Sequence, residues 1–513
     1  MGDLKSSGNS RRSSGGISAA VLCFIACSAV LAAAVCYFYK TGAILYSGDA
    51  EAHLNIARRI IDSRTPGWGQ IGTVWLPLPH LLMIPLVRND WMWQTGLAGA
   101  ITSAVSMALA ATFFFAGLRR LFASNLAASV GTAVFLLNPN TLYLGSIPMT
   151  EPVWFASLFA LFYFTVRFSQ NRELGAAMGA GLAACAGTLT RYEAWFLLAF
   201  AAAYIWIRGA DRRWPATIVF LVIAGLGPVL WLLHNWWYFD DPLYFYRGPA
   251  SPGAIQRGLP YPGLGDWRVA AQYFFAAGRL LAGWPALLIA AIGSTVAFAR
   301  RIWWPAVLFL LPVIFYVWSI HSSGGTPIHV PDLEPHAWYN IRYAMAFLPL
   351  VGLGCAAIAQ SGKSFALAAI VVALAPFALH WNEHAITWQE AEINSRGRRE
   401  WTRQAVDFLR TAAGPNETFF TSFNDLTAIY RTLRIPLRLT LTGDIDPQFT
   451  IACSRPDLLL WEDWAVVMGG DTVQGVIDKA RLRGPRYELS DRITVKGQPV
   501  IEIYHRVYEN PFR

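Results

Sequence analysis

Charge is what this sequence has least of. Only 14% of its 513 residues are Asp, Glu, Lys or Arg, where an ordinary soluble protein carries about 25%. With 55% hydrophobic residues and repeated apolar runs of about 20 residues, that deficit argues against a soluble enzyme. It reads as a polytopic α-helical membrane protein. Cysteine is scarce as well. Of six, Cys23, Cys27, Cys36, Cys185 and Cys355 lie inside apolar runs and only Cys453 lies outside. This leaves no disulfide framework and no zinc spacing, so they read as small core residues. Gly-Leu-Gly occurs at Gly225, Gly263 and Gly352, but no copy continues into a dinucleotide loop within a βαβ unit. The net charge of +9 would suggest nucleic acid in a soluble chain. In a membrane chain it is a topology signal, and no nucleic-acid partner is expected.

The apolar run from Ile17 to Tyr39 follows a basic tail, MGDLKSSGNSRRSSGG. It exceeds the roughly 7–15 apolar residues of a signal peptide, so an uncleaved first span with a cytoplasmic N-terminus is expected. Further runs lie near 91–118, 122–138, 151–167, 174–189, 194–207, 215–237, 270–299, 303–320, 339–360 and 364–381. Arg119/Arg120, Arg167/Arg172, Arg208/Arg212/Arg213, Arg300/Arg301 and Lys363 fall on one side of this count, with Lys5, Arg11 and Arg12. The positive-inside rule makes that side cytoplasmic. About eleven transmembrane helices result, an odd number, which puts the C-terminal segment outside.

Three regions follow: a cytoplasmic tail over 1–16, a transmembrane domain over 17–384, and an extracytoplasmic soluble α/β domain over 385–513. In the last, WTRQAVDFLRTAA reads as an amphipathic helix, and TFFTSF, LRLTLT, DLLLWE and VIEIYHRV read as strands. The sequon Asn416-Glu417-Thr418 lies there too, a glycosylation acceptor in a host with that machinery.

Chemistry-capable residues gather in the outer loops, each close to the end of a span. The first loop opens with YSGDAEAHLNIARR, holding Asp49, Glu51 and His53. The stretch after Asp49 is expected to be an amphipathic interfacial helix, with Leu54, Ala57 and Ile61 on one face and Arg58, Arg59 and Asp62 elsewhere. Pro66-Gly67 should stop it. On that helix Asp49 and His53 are neighbours one turn apart, whereas Asp49 and Glu51 diverge by about 200°. WLPLPHLLMIPLV (75–87) is too short and Pro-rich to span. Later loops place Glu151 in PMTEP, Arg191 and Glu193 in LTRYEAW, and Arg342 and Tyr343 in WYNIRYAM.

Bland explanations exist for each. Asp49 can be an N-cap, Glu151 a helix-dipole acid, Arg191 and Glu193 a pair across a turn, and Arg342 a snorkelling side chain. However, an outer-facing Arg lacks the topological motive, and its fork suits a phosphate oxygen. HVPDLEPHAW fits no compact zinc motif. A divalent metal ion held by Asp332 or His336 is left open. A multi-span transporter or lipid flippase would instead need inverted repeats and ionisable groups near the midplane, and a phosphoethanolamine-type transferase a nucleophile beside a metal cluster. Neither pattern is found.

An acidic residue just after the first span, opening an interfacial helix in a large outer loop, resembles the GT-C superfamily of membrane glycosyltransferases. GDAEAHLNIARRIIDSRTPGWGQIGTVWLPLPHLLMIPL resembles the first loop of the protein O-mannosyltransferase and aminoarabinose (lipid A) transferase branch. PMTEP resembles its second-loop acidic motif, LTRYEAWFL a motif of related bacterial members, and YNIRYAMAFLPL the late Arg-Tyr followed by Pro. The likeness covers about residues 17–380. One departure is that O-mannosyltransferases carry adjacent Asp-Glu where this chain has Asp49-Ala50-Glu51.

The resemblance implies an inverting sugar transfer from a polyprenyl (or dolichyl) monophosphate donor to a protein, glycan or lipid acceptor among membrane lipids. It implies Asp49 as general base, with Glu51 or Glu151 positioning the acceptor or a metal. Arg191 and Arg342 would meet the donor phosphate, with His53, Glu193 and Tyr343 lining the substrate site and the aromatic 238–268 loop meeting sugar and lipid.

Overall fold

The computed structural model describes residues 11–256, 259–322, 326–379, 383–443 and 446–507, without the side chains of 11–18. The first ten residues of the N-terminal tail lie outside the described residues. The chain divides into two compact units. The first comprises residues 1–41, 74–78 and 101–390. The second comprises 42–73, 79–100 and 391–513. Composition drew one boundary at 385. By contacts the second unit resumes at Ala391 and also takes in residues 42–73 and 79–100.

Each of the eleven apolar runs forms a helix or a pair of helices. Six helices among the described residues are long and apolar enough to cross a membrane: Ala19–Lys40, Leu97–Phe122, Glu151–Asn171, Ala210–Phe239, Trp303–His321 and Ile341–Ala359. A seventh crossing arises if the bent pair Trp267–Ala282 and Trp284–Ala299 counts as one. That pair lies where one run was expected over 270–299. Gly283, at φ 79°, turns the chain and Pro285 starts the next helix, so the two halves lie at 104°. The run expected from 91 likewise breaks at Gly96, φ 78°, which separates Asp90–Thr95 from Leu97–Phe122. Asn125–Leu136, Leu174–Thr188, Glu193–Arg208 and Lys363–Leu379 are shorter. At 1.5 Å per residue they reach only about 18–26 Å, below the roughly 30 Å hydrocarbon core.

Aromatic rings fill the core of the first unit. Phe114 stacks on Phe159 at 4.2 Å, ringed by Phe135, Phe162 and Phe309. Spans also meet backbone to backbone. A Cβ on Gly293 would lie 2.2 Å from the Cα of Gly354, so only glycine permits that approach.

The second unit is built on a mixed five-stranded sheet: β1 Phe419–Thr421, β2 Thr440–Leu441, β3 Trp464–Met468, β4 Tyr487–Ile493 and β5 Ile501–Arg506. Its order is β2-β1-β3-β5-β4. The β1 strand runs parallel to β2 and β3, and β5 antiparallel to β3 and β4. Strands were expected in TFFTSF, LRLTLT and VIEIYHRV, and β1, β2 and β5 lie in them. DLLLWE is corrected to a short helix, Pro456–Leu459, with Pro456 fixing its first turn. The strands WAVVM and YELSDRI were not anticipated.

Side chains alternate across the sheet. Phe419, Trp464, Val466, Ile501 and Ile503 face a core shared with Leu54, Ala57, Met83, Val87, Trp93, Trp401, Ala405 and Leu409. Phe420, Leu441, Ala465, Val467 and Tyr504 face the opposite core with Val473, Val476, Ile477 and Ala480 of helix Thr472–Arg483. WTRQAVDFLRTAA is helical as expected up to Ala412, the end of the longer helix Ile386–Ala412.

The first-loop helix, Gly48–Arg59, therefore corrects an expectation. Most of its residues are buried, Glu51, His53, Asn55, Arg58 and Arg59 among them, and only Gly48, Asp49 and Ala52 reach the surface, so it is not an interfacial helix with a polar outer face. Leu54 and Ala57 face the core as expected. Arg58, Arg59 and Asp62 turn inward too, because each has a partner. Arg58 bonds Asp62, Asp90 and the Val87 carbonyl, and Arg59 bonds the Gln70 carbonyl and lies over Phe423. The helix stops at Arg59, seven residues before Pro66. Its N-cap position belongs to Ser47, which leaves Asp49 and Glu51 in the first turn.

Candidate active site

Two groups of the expected residues come together, one in each unit. In the first unit, Glu151 opens helix Glu151–Asn171 after Thr150, with Pro152 in its first turn. Arg191 lies between Leu174–Thr188 and Glu193–Arg208, and Glu193 begins the latter. Arg342 and Tyr343 sit in the 3₁₀ segment Ile341–Phe347. Each loop is held from behind. Tyr192 donates to the Val74 carbonyl at 3.0 Å and accepts from the Trp231 indole at 3.1 Å. The Glu390 carboxylate takes the backbone N–H groups of Asn340 and Ile341 at 2.8 and 3.0 Å, capping the segment that carries Arg342.

Arg191 is the hub. Its Nε donates to Glu193 Oε1 at 2.5 Å, its Nη1 to Glu151 Oε1 at 3.2 Å and Thr150 Oγ1 at 2.8 Å, and its Nη2 to the Tyr316 hydroxyl at 2.6 Å. Tyr316 passes its own proton toward Glu193 Oε1 at 2.6 Å. Arg342 Nε reaches the same Glu151 oxygen at 3.2 Å. The Tyr343 ring lies under both guanidinium groups, at 5.1 and 4.9 Å, and stacks on Tyr316. Only 12% of the Arg191 side chain and 5% of the Glu151 side chain are exposed. Burial works against the charge on Arg191, but Glu193 and Glu151 outweigh it and hold the guanidinium above its ordinary range. Two cations and two anions balance, so the cluster is internally neutral.

The second unit assembles the other group. Glu51 is 2% exposed. Its Oε1 accepts from Arg431 Nε at 2.6 Å and from Asn55 Nδ2 at 3.0 Å. The same Asn55 amide donates to Thr427 Oγ1, and its oxygen accepts from the Trp93 indole. His53 Nδ1 is spent on the His80 ring at 2.9 Å, both rings being buried. One ring donates and the other accepts, so the pair keeps at least one ring neutral. Asp49 stands half-buried in the first turn of the same helix.

Asp332 and His336, named above for a metal, do not form a donor set. Asp332 pairs with Arg279, while His336 bonds the Pro331 carbonyl and lies 3.5 Å from Glu334. Among the described residues no three His, Cys, Asp or Glu side chains converge to hold a metal ion.

Sequence reasoning missed several members of these groups. Tyr316 lies inside an apolar run, where a phenol needs a partner once buried. Asn55, Arg431 and Thr427 could not be joined before the fold was known. His80 was legible in part, as the one ionisable group in LPLPHLLMIPLV.

No family model matches the sequence, and no curated protein matches it. Among solved structures, ArnT from Cupriavidus metallidurans in the apo state matches with TM-score 0.55 at 14% identity, over 94% of this chain and 97% of that one. The Archaeoglobus fulgidus oligosaccharyltransferase in its apo form matches with TM-score 0.47 at 12% identity, over 94% and 70%. The chain has the GT-C fold that ArnT represents.

Proposed function

We propose that the chain is an inverting glycosyltransferase of the membrane. It moves a sugar from a polyprenyl (or dolichyl) monophosphate to a protein, glycan or lipid acceptor. The observation that carries this reading is the buried, internally neutral cluster of Arg191, Arg342, Glu151 and Glu193 in a chain of GT-C fold. Fixed guanidinium groups held by carboxylates are preorganised for an incoming phosphate and need no rearrangement of solvent to meet it.

In the proposed reaction the acceptor oxygen attacks the anomeric carbon, and its proton passes to Asp49 as general base. The bond from that carbon to the phosphate oxygen breaks, and the lipid phosphate leaves with both electrons. Arg191 and Arg342 stabilise that leaving charge, Glu151 and Glu193 hold the two guanidinium groups, and Tyr343 supplies the face on which they rest. Glu51, whose carboxylate is taken by Arg431 and Asn55, holds the helix that presents Asp49 and does not meet substrate. His53 orients that helix through His80. The N-terminus is proposed to be cytoplasmic, with the reaction and the C-terminal unit on the opposite face.

The transporter reading would place ionisable groups at a helix break. The ionisable group beside the break found here is Arg279, one turn before Gly283, and it is already paired with Asp332, which leaves the enzyme as the favoured reading. Turnover of labelled polyprenyl-phosphate sugars in detergent tests it. Asp49→Asn should lower transfer by about 10²–10⁴, and the product should carry the inverted anomer. Near-wild-type transfer by Asp49→Asn would remove the assignment of the base.

A further inference from the structure

A cleft of about 770 Å³ opens in the second unit, between the segment after the first-loop helix and the C-terminal sheet, lined by Ser63, Arg64, Gln448, Trp461 and Glu462 among others. None of these residues has a part in the reaction proposed above. The volume falls within the roughly 300–1,000 Å³ of small-molecule sites.

Three features of its wall point the same way. First, Trp461 is 61% exposed, yet it is held in place. Its indole N–H donates to the Leu458 carbonyl at 2.8 Å, its backbone N–H to Glu462 Oε2 at 3.0 Å, and its carbonyl accepts from Arg506. The polar edge of the ring is thus spent, and what it offers is a flat apolar face. A ring already fixed by these bonds loses little freedom when something covers its face.

Second, both arginines on the wall are met by carboxylates. Arg64 meets Glu462 at 2.6 Å and also bonds Gln448, and Arg438 meets Asp62 at 2.7 Å. Arg64 also faces Asp446 at 3.7 Å, and Asp62 is shared with Arg58, so neither wall arginine stands without a carboxylate beside it. Third, Ser63 Oγ is buried on this wall with no hydrogen-bond partner among the described residues. A buried hydroxyl left unmatched calls for an explanation, and a ligand group that completes it is one.

A ligand that suits this wall has one apolar face and a rim of neutral hydroxyls that both donate and accept. We infer that the cleft is a binding site for a neutral sugar ring, stacked on Trp461 with its hydroxyls on Ser63, Gln448 and the Arg64–Glu462 pair. This binding does not require that the chain transfer sugar, so it stands or falls separately from the reaction proposed above.

The test uses the full chain in a zwitterionic detergent without a sugar headgroup. Saturation-transfer NMR would be recorded with glucose, galactose, mannose, N-acetylglucosamine and arabinose at millimolar concentration. At least one should bind saturably to the wild type. Trp461→Ala should weaken that sugar at least tenfold, and Ser63→Ala and Gln448→Ala about threefold each. The thermal midpoint of each variant checks that it is folded. No saturable binding by any of the five, or equal binding by folded Trp461→Ala, overturns the site. Equal competition by inorganic phosphate overturns its neutral character.

Discussion

Glu51 and Glu151 make the instructive comparison. Each is an acid in the first turn of a helix, each is almost fully buried, and each accepts from an arginine far away in sequence. Pairing and burial alone would call both catalytic. What separates them is how the surrounding positive charge is arranged. Glu51 has one arginine, and the amide beside it is tied onward to Thr427 and Trp93, so its shell is closed by scaffold. Glu151 shares one oxygen between two arginines that also rest on a common aromatic ring. One cation beside one buried anion is a structural pair. At Glu151 two arginines converge on one oxygen while Glu193 keeps the network neutral as a whole, so what it offers a visiting anion is two fixed guanidinium donors in one place, not surplus charge.

The comparison breaks or holds on mutation. The largest effect should come from Arg431→Ala, which leaves the Glu51 carboxylate buried without its charge partner. Removing one member of such a pair costs about 3–5 kcal/mol. Limited proteolysis should show the C-terminal unit opening first, and any transfer activity should fall only as folded protein is lost. If Arg431→Ala stays folded at the wild-type midpoint but loses turnover per folded molecule, Glu51 belongs with the reaction and the distinction fails.

Next is Arg191→Lys. The ammonium keeps the positive charge but not the planar fork that serves Glu193, Glu151 and Tyr316 together. Under the proposed function kcat should drop by about 10² while the thermal midpoint moves by only a few degrees. Full turnover in Arg191→Lys would return this cluster to the status of a scaffold.

How much of this was legible beforehand depended on how far apart the partners lie in the chain. The apolar runs, the first-loop helix, the amphipathic helix near 401–413 and the outer-loop candidates Glu151, Arg191, Glu193, Arg342 and Tyr343 all follow from local pattern, and the fold brings those five into one cluster. The pairing of Arg191 with Glu193 was even readable from their spacing. What was not legible came from tertiary partners. Amphipathicity only set Arg58, Arg59 and Asp62 off the apolar face, because no local rule shows that Asp90, Val87, Gln70 and Phe423 will receive them. The strand WAVVM reads as apolar on both sides because the sheet is covered on both faces, and such a strand lacks the alternation that would reveal it. The break at Gly283 was a local signal, Gly followed closely by Pro, that the length of the apolar run concealed.

A third carboxylate–arginine pair sets the lower end of the scale. Glu400 and Arg403 lie one turn apart on the exposed face of helix Ile386–Ala412, with Gln404 beside them. Hydrogen bonds from Arg403 and Gln404 hold the Glu400 carboxyl down at about 2, against an ordinary value of 4.5. Because the folded state lowers this pKa, its contribution to stability is present in full above about 4.5 and is lost as pH falls toward about 2. Solvent screens the pair, so Glu400→Gln should lower the thermal midpoint at pH 7 by no more than about 2 °C. That gap should narrow as unfolding is repeated at pH 4 and pH 3, and it should shrink when salt is added. A gap as wide as that of Arg431→Ala, or one that persists unchanged at pH 3, would mean that exposure does not rank these pairs. The contrast between Glu51 and Glu151 would then have to rest on geometry alone.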